Sequence, residues 1–220
     1  MQNVKHSMNT YHGQFGQDKF LNENVFKGKR DGFFVDIGAN DGITISNTLF
    51  FERELDWKGI CFEPLREAFQ NLSTNRKSIN INGCASSRDG KDSFISVTGY
   101  AEMLSGLKSK YDSRHFERLN KEVQKFGGAI EEIEIECYDV NRVLKENNIR
   151  DIDFISIDTE GSEFDILNAI DFSYFNVTAI TVENNYKDNK LKTFLHSKNF
   201  KHIKTLKSDE VFLNRNYQLT

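Results

Sequence analysis

The chain has 220 residues and a formal net charge of −4, from 29 Lys and Arg against 33 Asp and Glu. This length suits one compact domain, and we expect residues 1–220 to form a single one. Proteins that bind the DNA backbone usually carry net positive charge or a strong basic block, so these charges exclude a dedicated DNA-binding module. The three cysteines, Cys61, Cys84 and Cys137, lack the spacing of a zinc site or a disulfide framework, and we expect buried thiols.

The sequence shows neither a signal-peptide pattern nor a membrane-spanning stretch. Residues 1–14 are polar and lack the apolar centre of a signal peptide. No stretch approaches the roughly 18 apolar residues that span a membrane. We therefore expect a soluble, cytoplasmic protein with no membrane span, and we leave its oligomeric state open.

Short apolar runs alternate with stretches of helical spacing along most of the chain. The runs are rich in β-branched and aromatic residues, which predicts strands buried on both faces. They cover residues 33–37, 59–63, 79–81, 154–157 and 179–182. The helix-like stretches cover residues 44–55, 67–75, 139–146, 164–170 and 190–197. This alternation predicts an α/β fold with a mostly parallel sheet and right-handed crossovers.

Two regions depart from the alternation. Residues 200–206 and 210–213 predict an antiparallel hairpin at the edge of the sheet, with a turn at 207–209. Residues 92–138 predict an insertion that covers one end of the sheet on the acceptor side, with strands at both ends and a charged helix between them. In its last strand, 130–137, apolar residues alternate with glutamates, which is typical of a half-exposed strand.

The strongest local signal is the glycine loop that follows the first predicted strand. Gly38 and Gly42 let the backbone turn tightly, and Asp36 stands just before them. Ligands of open α/β sheets bind beyond the carboxyl ends of the strands, where Glu63 is placed to accept ribose hydroxyls and Pro64 ends the second strand. The loop departs from the Gly-x-Gly-x-x-Gly pattern that receives a pyrophosphate. An acid beside the loop suits the ammonium group of a methionine, which favours S-adenosylmethionine over NAD.

Acidic residues also follow two later strands. Asp158 and Glu160 leave one strand, and Glu183 and Asn184 leave the next. Buried carboxylates are unfavourable unless they meet a cation, a metal or a substrate proton. Asp158, Glu183 and Asn184 together offer the hard oxygen ligands that suit Mg²⁺, which makes them a candidate metal site. In the alternative, Glu183 and Asn184 cap strands or bind the acceptor, and Glu163 is structural at the start of a helix.

These motifs together resemble the FkbM family of S-adenosylmethionine-dependent methyltransferases, over about residues 11–215. The most specific matches are Asp158-x-Glu160-Gly161 and Ser46-Asn47-Thr48. Residues 13–18 resemble the N-terminal element of the family, with Gly13 where the family usually has serine. The resemblance implies a Rossmann-like class I methyltransferase fold with a seven-stranded sheet. It also implies O-methylation, often of a sugar or of a polyketide hydroxyl.

The resemblance further implies which residues hold the cofactor. Those expected at the cofactor site are Asp18, Asp36, Gly38, Asn40, Asn47, Glu63, Pro64, Asn82, Cys84 and Asp158. Within this set, Asn82 or Cys84 is expected near the adenine, and Asp18 is expected to close over the cofactor.

The expected reaction is in-line transfer of a methyl group from the sulfonium to a hydroxyl oxygen, in which the protein mainly orients the reactants. The hydroxyl must lose its proton, and Glu160 is the first candidate for the base. Asp158 is expected to act as metal ligand or acceptor anchor. Asp209 is a weaker candidate, because a turn residue is an equally good interpretation. Lone histidines are usually structural, so His115 is assigned no catalytic role.

The acceptor is expected to be a small molecule or a glycan, most simply a sugar hydroxyl in a glycan or glycoconjugate. The insertion residues Tyr100, Met103, Leu104 and Leu107 either shape the acceptor pocket or only pack the insertion on the sheet. A basic run between 108 and 125 leaves RNA or a small metabolite as alternative acceptors. A non-catalytic nucleoside-binding subunit is a further alternative, and the acids at four strand ends argue against it.

Overall fold

The structure is a computed structural model that describes residues 10–110 and 113–218. Residues 1–9, which make up most of the polar segment 1–14, lie outside the described residues. The helices are α1 (Gln17–Leu21), α2 (Leu49–Leu55), α3 (Arg66–Asn75), α4 (Ser113–Phe126), α5 (Val140–Glu146), α6 (Glu163–Ala169) and α7 (Lys190–Ser197). A π-helical turn, Asn22–Phe26, continues α1, and 3₁₀ turns cover Gly99–Leu104 and Lys108–Lys110. Across these described ranges, no helix is both long and apolar enough to cross a membrane.

The strands form two sheets. They are β1 (Phe33–Ile37), β2 (Lys58–Glu63), β3 (Ile79–Asn82), β4 (Cys84–Ser86), β5 (Gly90–Val97), β6 (Gly106–Leu107), β7 (Ile130–Asp139), β8 (Asp151–Ile157), β9 (Asn176–Glu183), β10 (Phe200–Leu206) and β11 (Asp209–Asn214). In the part of the chain that is described, a seven-stranded sheet has the order β10-β11-β9-β8-β1-β2-β3, and a four-stranded sheet has the order β4-β7-β5-β6. The predicted α/β class is confirmed.

The seven-stranded sheet is mixed. Strands β3, β2, β1, β8 and β9 pair in parallel, whereas β11 runs antiparallel to both β9 and β10. The expected hairpin therefore forms, but its second strand lies inside the sheet and β10 takes the edge. Burial explains this order, because β11 is buried along nearly its whole length and β10 is largely half-buried or exposed.

Helices cover both faces of this sheet. Successive strand side chains point to opposite faces, so Val35 and Ile37 pack with α5, α6 and α7, while Phe34 packs with α1 and α2. Ser156, two positions after Phe154, lies on the same face as Phe34 by the same alternation. Asp36 shares this face, which directs its carboxylate toward the start of α2.

The insertion is a small unit with its own sheet, and it begins earlier than expected. Its sheet starts at Cys84 rather than near residue 92, and β5 starts at Gly90. The predicted half-exposed strand is confirmed as β7, in which Ile135 and Cys137 are buried and the alternating glutamates are exposed. Leu119 of α4 is fully buried against this unit, which joins the helix to its sheet.

The predicted helix over 44–55 begins only at Leu49. The side chain of Asp41 accepts hydrogen bonds from the backbone N–H groups of Ile43 and Thr44, and Ser46 Oγ accepts from Leu49 N–H. These side-chain acceptors replace the helical carbonyls, so residues 44–48 stay in a turn. The turn presents Ser46 and Asn47 at the carboxyl end of β1.

Candidate active site

An open cleft of about 1110 Å³ lies at the carboxyl ends of β1, β2 and β8. This is the edge of a parallel sheet at which α/β proteins bind ligands. Its walls come from residues 36–40, 44–47, 62–65, 83–85, 156 and 158–160, and residues of the insertion line it as well. Of the predicted cofactor residues, Asp36, Gly38, Asn40, Asn47, Glu63, Pro64, Cys84 and Asp158 line it.

The glycine loop brings β1 and β8 into close contact. Gly38 has a φ of 87°, and a Cβ atom there would lie 1.8 Å from the carbonyl oxygen of Asp158. The N–H of Asp158 donates to the carbonyl of Ile37 at 3.0 Å. Only glycine permits this approach, which seats Asp158 directly beside the loop.

A buried network holds Asp36 under the loop. Its Oδ2 accepts a hydrogen bond from Thr48 Oγ1, and the guanidinium of Arg76 lies 4.0 Å from the same oxygen. Arg76 is itself fully buried, and it donates to Thr48 Oγ1 at 2.9 Å and to Glu52 Oε2 at 3.1 Å. Burial raises the pKa of Asp36, and Arg76 opposes that rise. Asp36 thus organises the loop as well as lining the cleft.

Glu63 is fixed by the backbone around it. Its two carboxylate oxygens accept hydrogen bonds from the N–H groups of Asn40 at 2.9 Å and Leu65 at 2.8 Å. Burial raises the pKa of Glu63 to about 7, against the lowering effect of these two donors. A carboxylate offers about four acceptor positions, so two remain for ligand hydroxyls. Asn82 donates to the carbonyls of Glu63 and Pro64 and does not line the cleft, so it supports the acid instead of contacting the adenine position.

The side-chain oxygen of Asn47 is a potential acceptor for a ligand. Its side chain is buried, with 8% exposure, and its amide nitrogen donates to Ser156 Oγ at 3.0 Å. Its Oδ1 has no hydrogen-bond partner among the described residues. An unpaired buried carbonyl costs about 1–3 kcal/mol, and a ligand N–H group in the cleft would remove that cost.

Three acids gather at the ends of β8 and β9. Burial, followed by repulsion from neighbouring carboxylates, raises the pKa of Asp158 well above its usual value and that of Glu183 to about 10. Burial also raises the pKa of Glu160 to about 7, while Arg118 opposes the rise. Glu183 Oε2 is buried and lacks a partner in the described chain. Such a cluster favours a cationic ligand or a proton from a substrate.

Glu163 shapes the turn that carries these acids. Its Oε1 accepts hydrogen bonds from the N–H groups of Thr159 at 3.1 Å and Gly161 at 2.9 Å. These contacts agree with the structural role predicted for Glu163.

Glu160 lies between two cavities. It lines the cleft described above and also a second cavity, of about 730 Å³, between α4, the 158–163 turn and the segment after β9. Its Oε2 is 3.4 Å from Arg118 Nη1 and 3.6 Å from His115 Nδ1. On the rim of the second cavity, the Arg114 guanidinium stacks 3.8 Å from the centre of the Tyr186 ring.

Two of the predicted site residues face the protein rather than a cavity. The carboxylate of Asp18 is fully buried and accepts hydrogen bonds from the N–H groups of His12 at 2.6 Å and Gly13 at 3.1 Å. It folds the N-terminal element, and its closing over a cofactor stays a prediction. Asp209 is the first residue of β11, and its buried carboxylate accepts hydrogen bonds from Gln17 and Ser208. It lines neither cavity, and its role as a base stays a prediction.

The predicted metal site is not supported either. The side chain of Asn184 is used within its own loop, because its amide donates to the carbonyl of Asp188 and its Oδ1 accepts from the N–H of Asp188. No group of three or more His, Cys, Asp or Glu residues in 10–110 and 113–218 is arranged to hold a metal ion. The alternative interpretation, in which Asn184 caps the end of its strand, agrees with these contacts.

The insertion contributes residues to both cavities. Met103 and Leu107 line the cleft, Leu104 is buried within the insertion, and the Tyr100 side chain is 71% exposed. The second cavity instead receives residues of α4. Cys84 lines the cleft and lies in register with Cys137 on the neighbouring strand, and Cys61 and Cys137 are buried as expected.

Several site residues were not predicted from the sequence. Ser156 gave a usable signal, because it is the polar residue within the buried apolar run 154–157 of β8. Thr48 gave a weaker signal as part of Ser46-Asn47-Thr48. Arg76 and His115 gave none, since their partners are brought to them by the fold.

Comparison with known proteins agrees with this geometry. The family description "Methyltransferase FkbM domain" matches residues 36–217. "Methyltransferase 1" of Beauveria bassiana (strain ARSEF 2860) is 25% identical over 183 residues, covering 77% of this chain and 72% of that protein. "Methyltransferase sdnD" of Sordaria araneosa is 25% identical over 194 residues, covering 76% of this chain and 73% of that protein. The chain therefore belongs to the FkbM methyltransferase family.

Proposed function

We propose that the protein transfers the methyl group of S-adenosylmethionine to a hydroxyl oxygen. The observation that carries this proposal is the excess of carboxylates at the cleft beside the orphaned Asn47 Oδ1. S-adenosylmethionine brings a sulfonium and an ammonium group to that environment. The pyrophosphate of NAD would bring negative charge, which Asp36 and Asp158 repel.

The residues present fit this cofactor. Glu63 has acceptor positions left for the two ribose hydroxyls, and Asn47 Oδ1 would accept a hydrogen bond from the ammonium group. The carboxyl group of Asp158 lines the same cleft, where a cationic ligand would favour its ionised form. The cofactor contributes an already activated methyl group, so the protein's task is to orient, to exclude water and to take up a proton.

Glu160 is the proposed base. It borders both cavities, so it can contact an acceptor in the second cavity while facing the cofactor side. A pKa of about 7 leaves a useful fraction of the carboxylate ionised at neutral pH while keeping it basic enough to take a hydroxyl proton. As the acceptor oxygen forms its bond to the methyl carbon, the proton of the hydroxyl passes to Glu160.

A sugar hydroxyl in a glycan or glycoconjugate is the proposed acceptor. The second cavity combines carboxylates and an amide with the rings of Tyr186 and Phe164 on its wall, which suits a polyhydroxylated ligand. RNA is less well supported, since two lysines at the start of the insertion's basic run are paired with acids. Lys108 contacts Glu132 at 2.6 Å, and Lys110 contacts Asp165 at 2.7 Å.

Calorimetric titration with S-adenosylmethionine, S-adenosylhomocysteine and NAD tests the cofactor. We expect binding of the two sulfur ligands, tighter for the cationic one, and none for NAD. Binding of NAD alone would overturn the proposal.

A transfer assay against a panel of sugars, nucleosides and small phenols then tests the acceptor. Glu160→Gln should keep cofactor binding and lose transfer, whereas the surface control Glu146→Gln should keep both. Transfer to nucleosides but not to sugars would overturn the sugar assignment and leave the cofactor assignment standing.

A further inference from the structure

A buried histidine of the insertion contacts the proposed base. His115, on α4, has 4% side-chain exposure and lines the second cavity. Its Nε2 lies 3.1 Å from the carbonyl oxygen of Leu104. A carbonyl only accepts, so the hydrogen of the neutral ring resides on Nε2. Nδ1, the nitrogen that faces Glu160 Oε2 at 3.6 Å, is then a proton acceptor.

We infer that His115 is a positioning residue that shares a proton with Glu160 and keeps this carboxylate ready to act as a base. The inference rests on the proposed function. Apo structures often show such contacts slightly longer than hydrogen bonds, and they shorten in the reactive complex.

The charges around Glu160 explain why it needs such a partner. Burial, followed by the charge of Glu163 on α6, disfavours the ionised form of Glu160. Ionised Glu160 in turn raises the pKa of Asp158 and Glu183 at the ends of β8 and β9. On the other side, α4 places Arg118 and His115 against the same oxygen, Oε2.

The proton balance gives His115 a definite task. When the acceptor oxygen bonds to the methyl carbon, the bond from sulfur to that carbon breaks and the hydroxyl proton moves to Glu160. The carboxyl group then donates toward His115 Nδ1, which yields a carboxylate and an imidazolium held by the Leu104 carbonyl. The proton leaves to solvent through the second cavity, because His115 forms part of its wall.

Nitrogen NMR of protein labelled at its histidines tests the contact without any acceptor. The His115 signal is identified by its absence in His115→Gln. We expect the Nε2–H tautomer in the neutral ring, and we expect Glu160→Gln to lower the pKa of His115 by roughly 1–3 units because a neighbouring carboxylate is lost. Glu146→Gln is the control and should leave the signal unchanged. An Nδ1–H tautomer, or a pKa that Glu160→Gln does not move, would overturn the inference.

Kinetics with a transferable acceptor test the role. In His115→Gln the amide can still donate to the Leu104 carbonyl, but no basic nitrogen faces Glu160. We expect kcat to fall by at least about tenfold, with the acceptor KM, the cofactor affinity and the melting temperature unchanged. The double variant with Glu160→Gln should be no slower than Glu160→Gln alone, because the two residues act as a unit. A full rate in His115→Gln, or multiplicative losses in the double variant, would overturn the inference.

The two proposals fail separately. If the wild-type protein binds no S-adenosylmethionine, the proposed function fails, and the proton-relay role of His115 fails with it. If cofactor binding is normal and the NMR result is negative, only the role of His115 fails.

Discussion

The two ends of the site treat their acids differently. At the ends of β1 and β2, Asp36 is held by Thr48 and Arg76, and Glu63 is held by two backbone N–H groups. At the end of β9, Glu183 has an unpaired buried oxygen and lies among other carboxylates that raise its pKa. The first region is organised before any ligand arrives, whereas the second retains unfavourable charge that a cationic ligand or a proton relieves. The acids of the first region are thus stabilised by their contacts, whereas those of the second region are left to interact with a ligand.

The largest loss of stability is expected from removing Arg76, the buried cation beside Asp36 and Glu52. Arg76→Met leaves Asp36 and Glu52 as buried carboxylates without their partner, which should lower the free energy of unfolding by about 3–5 kcal/mol. Urea denaturation measures this loss. Arg142→Met removes a solvent-exposed ion-pair partner of Asp89 and Glu146 and should denature close to wild type. Equal losses in the two variants would contradict the comparison.

A smaller loss is expected at the glycine loop. In Gly38→Ala the new methyl would meet the Asp158 carbonyl, so overpacking of about 1–3 kcal/mol adds to a left-handed backbone cost of about 1–2 kcal/mol. Gly16→Ala is the matched control, since Gly16 has a φ of 77° and nothing within 4 Å of its Cβ position. It should show the backbone cost alone. Thermal unfolding of both variants would reveal whether the close approach matters, and identical melting temperatures would show that it does not.

The acids at the ends of β8 and β9 should make the stability of the protein depend on pH. The pKa of Glu160 is about 7 when folded against an ordinary value of 4.5, so the folded state holds the extra proton between these values. Its contribution to stability is therefore fully present below pH 4.5 and is lost as pH rises through about 7. We expect the stability of wild type relative to Glu160→Gln to fall by roughly 1–3 kcal/mol from pH 5 to pH 8. A difference that is flat or rises with pH would mean that burial does not disfavour the ionised form of Glu160.

Over the same pH range, ligand binding should move in the opposite direction. Ionisation of Glu63 and Glu160 adds negative charge to the cleft, so the affinity for S-adenosylmethionine should increase between pH 6 and pH 8. The neutral product S-adenosylhomocysteine should respond less. Calorimetry at both pH values gives the change in affinity for each ligand. An equal change for the two ligands would mean that the charge of the cleft does not distinguish them.

The smallest effect is expected at Asp209. Its carboxylate is occupied by Gln17 and Ser208 and lines neither cavity, so Asp209→Asn should transfer methyl groups at the wild-type rate. The charge of Asp209 raises the pKa of Asp158, so Asp209→Asn also relieves some repulsion between these two carboxylates. A rate as low as that of Glu160→Gln would return Asp209 to the catalytic machinery.

Features set by near neighbours in the chain were predictable. The helix Lys190–Ser197 and the strand Phe200–Leu206 match their predicted bounds, and Asp139 caps α5 by accepting from the N–H of Asn141 at 2.9 Å. Side-chain acceptors within the turn at 41–48 overrode a helical pattern, which is why the helix predicted from residue 44 starts at Leu49.

The sequence by itself determined the α/β alternation, the glycine loop and the acids at the strand ends, because each depends on periodicity or on contacts a few residues apart. Only the tertiary structure decided which of those acids meet. Asp18 and Asp209 are buried and bind groups of the protein itself. Asn184 hydrogen-bonds within its own loop, and His115 lies beside Glu160. These outcomes depend on side chains that are distant along the chain and become neighbours only when sheet, helices and insertion pack together.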